Sequence, residues 1–186
     1  MKYSIPKGRE LRIAISGKSG CGNTTVSTLL ANQLQIGIIN YTFRNLAQEM
    51  GSSLAEILEK AKNDDSFDRI VDTKQVDLAR QTSCVLGSRL AIWMLKESDF
   101  KVYLLADENL RAQRILNREG GNLEKIKAFT AMRDSEDSRR YKEIYHIDNN
   151  QYDFCDSIIN TADNNPEQIV QIIIDKLIER GLLEKA

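Results

Sequence analysis

The chain has 186 residues, 41% hydrophobic and 28% charged, with a formal net charge of -1 at pH 7. That length suits one domain with a full core, and the balanced charge argues against a general nucleic-acid binder, which carries a basic excess. Three widely spaced cysteines and one histidine, His146, argue against a zinc site and fit reduced thiols in the cytoplasm; no run reaches the roughly 18 apolar residues of a membrane span.

In chain order, Met1 to Pro6 lack the apolar run of a signal peptide. Leu11 to Ile15 is short and mostly apolar before glycines, which predicts a buried strand. Thr24 to Leu34 reads as a helix with Val26, Leu29, Leu30 and Leu34 on one side, and Ile36 to Asn40 as a second strand. Phe43 to Met50 is helical until Gly51, and Ser53 with Glu56 forms a capping box opening a helix through Lys62. A further helix spans about Phe67 to Arg80, followed by a strand at Ser83 to Leu86 and a buried helix at Leu90 to Leu95. Lys101 to Leu105 is the fourth strand and Glu108 to Glu119 a helix ending at Gly120-Gly121. Leu123 to Tyr145 is a long charged helix, Ser157 to Asn160 the fifth strand, and Pro166 opens a last helix to Arg180. The alternation predicts an α/β fold: a five-stranded parallel sheet between helical layers, with ligands at the carboxyl ends of the strands.

The glycine-rich turn Gly17-Lys18-Ser19-Gly20-Cys21-Gly22-Asn23-Thr24-Thr25 falls between the first strand and first helix. Glycines let successive backbone N–H groups face phosphate oxygens, and the following helix adds its positive end. Thr24 stands where the hydroxyl of such a loop coordinates Mg²⁺. The usual lysine before it is replaced by Asn23. Lys18, at the opposite end of the turn, is a candidate substitute cation, and lid arginines are the competing source.

Arg111, Arg114 and Arg118 recur at helical spacing, and Arg133, Arg139 and Arg140 follow on the long charged helix. Such arginines stabilise a moving phosphoryl group, and interleaved acids equally allow a solvated helix face. Arg44, just after the second strand, and Arg89, just after the third, are expected at the same sheet edge as the turn, where they would meet an acceptor phosphate. Asp68 and Asp72, four apart on one helix, are candidates to bind a sugar or base. Trp93 is expected in the core, and Cys21 as a small turn filler.

These features together resemble the archaeal-type cytidylate kinases, from about Leu11 to Leu177. The likeness is carried by the glycine turn, Phe43-Arg44, the Asp68/Asp72/Gln75 spacing, Arg89 to Trp93, Arg111 to Arg114, Arg133-Asp134, Asp137, Arg139 to Tyr145 and Ile159-Asn160-Thr161. The resemblance implies a P-loop kinase that transfers a phosphoryl group from ATP, with Mg²⁺, to CMP or dCMP. It implies an acceptor-binding region at about 42–80, with Arg44, Arg89, Arg133 and Arg140 gripping the acceptor and Asp137 near its sugar or base. A lid at about 107–145 would bring Arg111, Arg114 and Arg118 near the phosphates. Partners would be small-molecule nucleotides, and the expected state is a monomer.

The chain departs from that family twice besides Asn23. Ile38-Ile39-Asn40 stand where small residues usually precede the Phe-Arg pair, and Gly87-Ser88 where a Glu-Gly pair usually precedes the arginine. A kinase for a different small acceptor, and a nucleotide-binding regulatory protein with weak or no turnover, are therefore the alternative readings.

Overall fold

The computed structural model describes residues 3–185. The first half runs β1 (Tyr3–Ser4), β2 (Arg12–Gly17), α1 (Asn23–Leu34), β3 (Gly37–Ile39), α2 (Phe43–Glu49), α3 (Leu54–Ala61), α4 (Ser66–Ala79) and β4 (Cys84–Gly87). The second half runs α5 (Ala91–Met94), β5 (Phe100–Leu105), α6 (Glu108–Glu119), α7 (Leu123–Tyr145), β6 (Ser157–Asn160), α8 (Pro166–Glu179) and β7 (Glu184–Lys185). Five strands form one parallel sheet in the order β3-β4-β2-β5-β6. The expected architecture is therefore present.

Strand alternation divides the core. Ile13, Ile15, Val85, Val102 and Leu104 pack against α1 and α8 on one face, while Ala14, Leu86 and Tyr103 meet α4 and α5 on the other. Along α8, Ile169, Ile173 and Leu177 recur every four residues and are almost wholly buried. Each such side chain contributes about 1.5–3 kcal/mol of hydrophobic stabilisation. Asn165 and Gln168 cap this helix reciprocally, with Pro166 in its first turn. The capping box at Ser53 and Glu56 forms as expected. Helices α2 to α4 gather around a separate small core that includes Tyr41, Leu46, Ile57 and Val71.

The differences from expectation are local. The third strand starts one residue late because the Ser83 hydroxyl accepts from the Leu11 N–H at 3.0 Å and donates to Glu10 at 2.6 Å. The helix expected over Leu90 to Leu95 keeps only Ala91–Met94, since Leu95 leaves helical geometry at ψ 81°. Strands β1 and β7 pair antiparallel, Tyr3 with Lys185 and Ser4 with Glu184, a ribbon that two-residue segments do not announce in sequence.

Candidate active site

β2 ends at Gly17 and α1 begins at Asn23, so the glycine turn sits at the carboxyl edge of the sheet. Gly20 and Gly22 adopt φ of 84° and 100°, which non-glycine residues resist. Gly17 is required for another reason: a Cβ there would lie 2.6 Å from the Leu104 carbonyl oxygen and 2.7 Å from Asn23 Oδ1. Asn23 itself turns back, its Nδ2 donating to the Gly17 carbonyl at 2.8 Å. Cys21 is buried and burial raises its thiol pKa, as suits a turn filler. Thr24 and Thr25 are exposed in the first turn of α1, which contains no acidic residue. The helix end is thus left free to attract an anion.

Two arginines of α6 brace this loop from behind. Arg111 Nη1 donates to the Ser19 carbonyl at 3.1 Å, and its Nη2 pairs with Asp134 of α7 at 2.7 Å. Arg114 donates to Thr161 Oγ1 and to the Thr161 carbonyl at 2.7 Å each, and reaches the Gly20 and Cys21 carbonyls at 3.4 Å. Neither lines the cleft in front of the loop. Arg118, the third of the series, does line it, and pairs with its neighbour Glu119.

That cleft, about 410 Å³, joins the loop to the inner face of α4 and the carboxyl-terminal half of α7. Its far wall is a network of charges. Arg89 Nη1 pairs with Asp137 at 2.6 Å, and Arg140 Nη2 pairs with Asp68 at 3.0 Å and Asp137 at 3.8 Å. Tyr145 donates its hydroxyl to Asp72 Oδ2 at 2.7 Å. Desolvation raises the pKa of Asp68 despite Arg140, and lifts Asp72 to about 6 against the opposing Tyr145 hydrogen bond. Burial pushes Tyr141, beside Arg89 and Asp137, up to about 12. Asp68 Oδ2 and Arg140 Nε are buried without hydrogen-bond partners among the described residues, so this wall is not fully satisfied by the protein itself.

Lys18 joins the two halves. Half-buried, it lines the main cleft and also a small cavity shared with Gly17, Arg89, Asp134 and Asp137. Arg133 lines a neighbouring groove of about 320 Å³ between α6 and α7, with Ile126 and Phe129. It makes no hydrogen bond or ion pair among the described residues; desolvation and the like charge of Arg89 lower its pKa. Arg44, the second residue of α2, is exposed and outside the cleft, whereas Phe43 lines it.

Gly87 closes β4 against α1. A Cβ at that position would collide with Ser27 Oγ and lie 2.8 Å from Ser27 Cβ, so no glutamate fits beside the present Ser27. Ser27 is buried, and its hydroxyl has no hydrogen-bond partner.

Of the site candidates, the fold brings the glycine turn, Lys18, Asp68, Asp72, Arg89 and Arg140 to one cavity, with Asp137 behind them. It does not bring Arg44, Arg111, Arg114 or Arg133 there. Gln75, which lines the cleft, and Tyr145, which holds Asp72, received no role from the sequence. Gln75 was legible in principle, since it follows Asp68 and Asp72 on the same face of α4.

Residues 12–163 match the model of the cytidylate kinase-like family. The chain is 41% identical over 176 residues to cytidylate kinase 2 of Borreliella burgdorferi, covering 92% of this chain and 98% of the relative. It is 37% identical to the cytidylate kinase of Pyrococcus abyssi, covering 95% and 99% of the two chains. Among solved structures, shikimate kinase from Acinetobacter baumannii superposes with a TM-score of 0.62 at 21% identity, covering 92% and 94%. Shikimate kinase from Bacteroides thetaiotaomicron gives 0.63 at 15%, covering 91% and 98%. These structures establish likeness of fold.

Proposed function

Since the chain belongs to the cytidylate kinase-like family, we propose that it transfers the terminal phosphoryl group of Mg²⁺-bound ATP to CMP or dCMP, giving ADP and CDP or dCDP respectively. The carrying observation is that one cleft joins a phosphate loop to a wall bearing Arg89 and Arg140. Donor phosphates and acceptor phosphate would meet between them.

The loop N–H groups and the amino end of α1 hold the donor phosphates, and Lys18 adds the positive charge that Asn23 lacks. Thr24 suits the metal carried by ATP: its hydroxyl is exposed and makes no hydrogen bond among the described residues. No cluster of three or more His, Cys, Asp or Glu side chains able to hold a metal occurs among those residues. This fits Mg²⁺, which prefers phosphate oxygens with one or two protein ligands. Bound in this way, the ion would neutralise developing charge on the phosphates.

On the acceptor side, Arg89 and Arg140 face the incoming phosphate while Asp137 and Asp68 hold their guanidinium planes. Arg44, at the mouth, would engage the acceptor only after α2 moves inward. Arg111 and Arg114 act through the loop: by fixing the Ser19, Gly20 and Cys21 carbonyls they aim the opposite peptide faces at phosphate. Arg118 and Arg133 would be brought to the transferring group by closure of the lid, excluding water.

The test is to incubate purified protein with ATP, Mg²⁺ and each nucleoside monophosphate in turn, and quantify ADP together with the matching diphosphate. Stoichiometric CDP and ADP, faster from CMP or dCMP than from AMP, GMP or UMP, is the expected result. Faster turnover of another acceptor would reassign the substrate. The folded-back Asn23 favours one second reading, a nucleotide-binding regulator; ATP binding with no product from any acceptor would select it.

A further inference from the structure

We propose that Asp72 selects the acceptor base, its free carboxylate oxygen accepting a hydrogen bond from the exocyclic amine of cytosine. This rests on the acceptor reading above and names a specificity residue within it.

The sequence places Asp68, Asp72 and Gln75 at i, i+4 and i+7, which is one helical face, and that face of α4 lines the cleft. The ion pairs along this wall are already assigned. Arg140 takes Asp68 and Arg89 takes Asp137, while Asp72 has no cation within ion-pair distance. Tyr145 fixes one oxygen, Oδ2; Oδ1 accepts no hydrogen bond among the described residues. A half-buried carboxylate with one lone-pair edge unused and no ion-pair partner calls for a neutral N–H donor.

The acceptor phosphate cannot supply that donor, because like charge drives it toward Arg89, Arg140 and the loop. The base end of the nucleotide therefore falls to Asp72. Cytosine offers an amine at C4, whereas uracil presents a carbonyl oxygen there. Against ionised Asp72 that oxygen would set lone pairs against lone pairs, leaving both groups desolvated and unpaired. Sites built around a hydrogen bond reject a ligand lacking the partner far more strongly than apolar pockets do. A ribose hydroxyl could also donate to Asp72, but it is common to both pyrimidine nucleotides and would not distinguish them.

Protonation reverses the chemistry. Asp72 is held up to about 6 chiefly by desolvation, with Asp68 of the same helix raising it and Tyr145 and Arg140 of α7, and Arg89 after β4, lowering it. Tyr141 of α7 also faces it and stays neutral. Below that pH Asp72 carries a proton and can donate to the uracil oxygen.

The experiment measures kcat/KM for CMP, dCMP and UMP from pH 5 to 8 in the wild type, Asp72→Asn and Tyr145→Phe, with binding of CMP and UMP followed by calorimetry without ATP. The asparagine keeps an oxygen for Tyr145 and turns an N–H toward the base. It should lower the CMP-to-UMP ratio by roughly tenfold or more and abolish the fall in that ratio expected of the wild type below about pH 6. Tyr145→Phe frees the carboxylate to rotate and removes a hydrogen bond that lowers its pKa, so it should lower the ratio less than Asp72→Asn at pH 8 and move the fall to higher pH; it serves if Asp72→Asn misfolds. Equal losses on CMP and UMP, or an unchanged ratio, would overturn the role of Asp72 while leaving the kinase reading intact. Failure of the wild type to bind or phosphorylate any pyrimidine monophosphate would overturn both. A smaller effect on dCMP than on CMP would place Asp72 on the 2′-hydroxyl and overturn base selection.

Discussion

The Asn23 side chain donates to the Gly17 carbonyl at 2.8 Å, closing the phosphate loop on itself. Lys18 is the one lysine among the described residues that lines the cleft in front of this loop. A charge about 4 Å from a phosphate is worth about 4 kcal/mol at an effective dielectric of ~20. Lys18→Ala is expected to lower turnover by roughly 10²-fold or more, a smaller loss than that full charge contact because water and the arginines compensate partly. Asn23→Lys in that background should restore part of the rate. Steady-state kinetics with varied ATP decide the matter; full activity in Lys18→Ala assigns the compensation to the arginines.

Arg111 is expected to matter for stability as much as for rate. Its side chain is 6% exposed and its pair with Asp134 is 13% exposed on the acid side. Removing one partner of a buried ion pair costs about 3–5 kcal/mol because the other charge is stranded. Urea unfolding of Arg111→Ala should show a loss of that order, with Arg111→Met/Asp134→Leu closer to wild type. A loss under about 1 kcal/mol would mean that water solvates Asp134 freely.

Arg133 and Arg140 separate in kind. Arg133 makes no hydrogen bond or ion pair among the described residues, so Arg133→Ala should cut turnover by about 10³-fold with an unchanged melting temperature. Arg140→Ala should cut turnover similarly and also melt earlier at pH 7, since it leaves the buried Asp68 carboxylate unpaired. Near-native rates at saturating substrate in both variants would reduce them to ordinary helix charges.

Lid motion should be confined to part of the expected segment. The carboxyl-terminal half of α7 is pinned by Asp134, Asp137, Arg140 and Tyr145, each joined to another element. Its amino-terminal half borders the open groove, where Phe129 is 58% exposed. With a bisubstrate mimic, hydrogen exchange should slow at residues 116–133 and stay unchanged at 134–145. Equal slowing throughout, or none, would count against a hinge near Asp134.

Asp72 also links stability to pH. Its folded-state pKa lies near 6, above the ordinary 3.8, so the native state binds its proton more tightly than the unfolded chain does. The favourable contribution is complete below pH 3.8 and is lost as pH rises through about 6. Asp72→Asn should therefore stabilise the protein above pH 6 by at most about 3 kcal/mol, and hardly at all near pH 4. Chemical denaturation at the two pH values measures this; equal effects at both would remove the linkage.

The strand–helix alternation and the glycine turn were readable because period, glycine placement and capping are local properties. Lys18 was readable as a candidate from its place in the glycine turn, Arg89 from its place after a strand, Asp68 and Asp72 from helical spacing, and Arg140 from the charged helix and the family resemblance. The partners of each were not. Helical spacing put Arg111 and Arg114 on a common face but could not say that loop carbonyls, rather than the cleft, would meet that face. Tyr145 is 73 residues from Asp72 along the chain, and only tertiary packing makes it that carboxylate's anchor. Arg44 follows a strand end and α2 begins at Phe43, both as expected, yet Phe43 and not Arg44 lines the cleft, which helix limits alone do not decide.

The contact between Gly87 and Ser27 fixes an order on change. Introducing glutamate at 87 alone drives its Cβ into the helix beside it. Substituting Ser27 first is cheap: its hydroxyl satisfies nothing, and even Ser27→Gly costs only the ~0.5–1 kcal/mol of a glycine within a helix. The two positions are thus epistatic, harmful in one sequence of events and tolerated in the other. A lineage holding this pair gains an acid at the end of β4 only after α1 has given way.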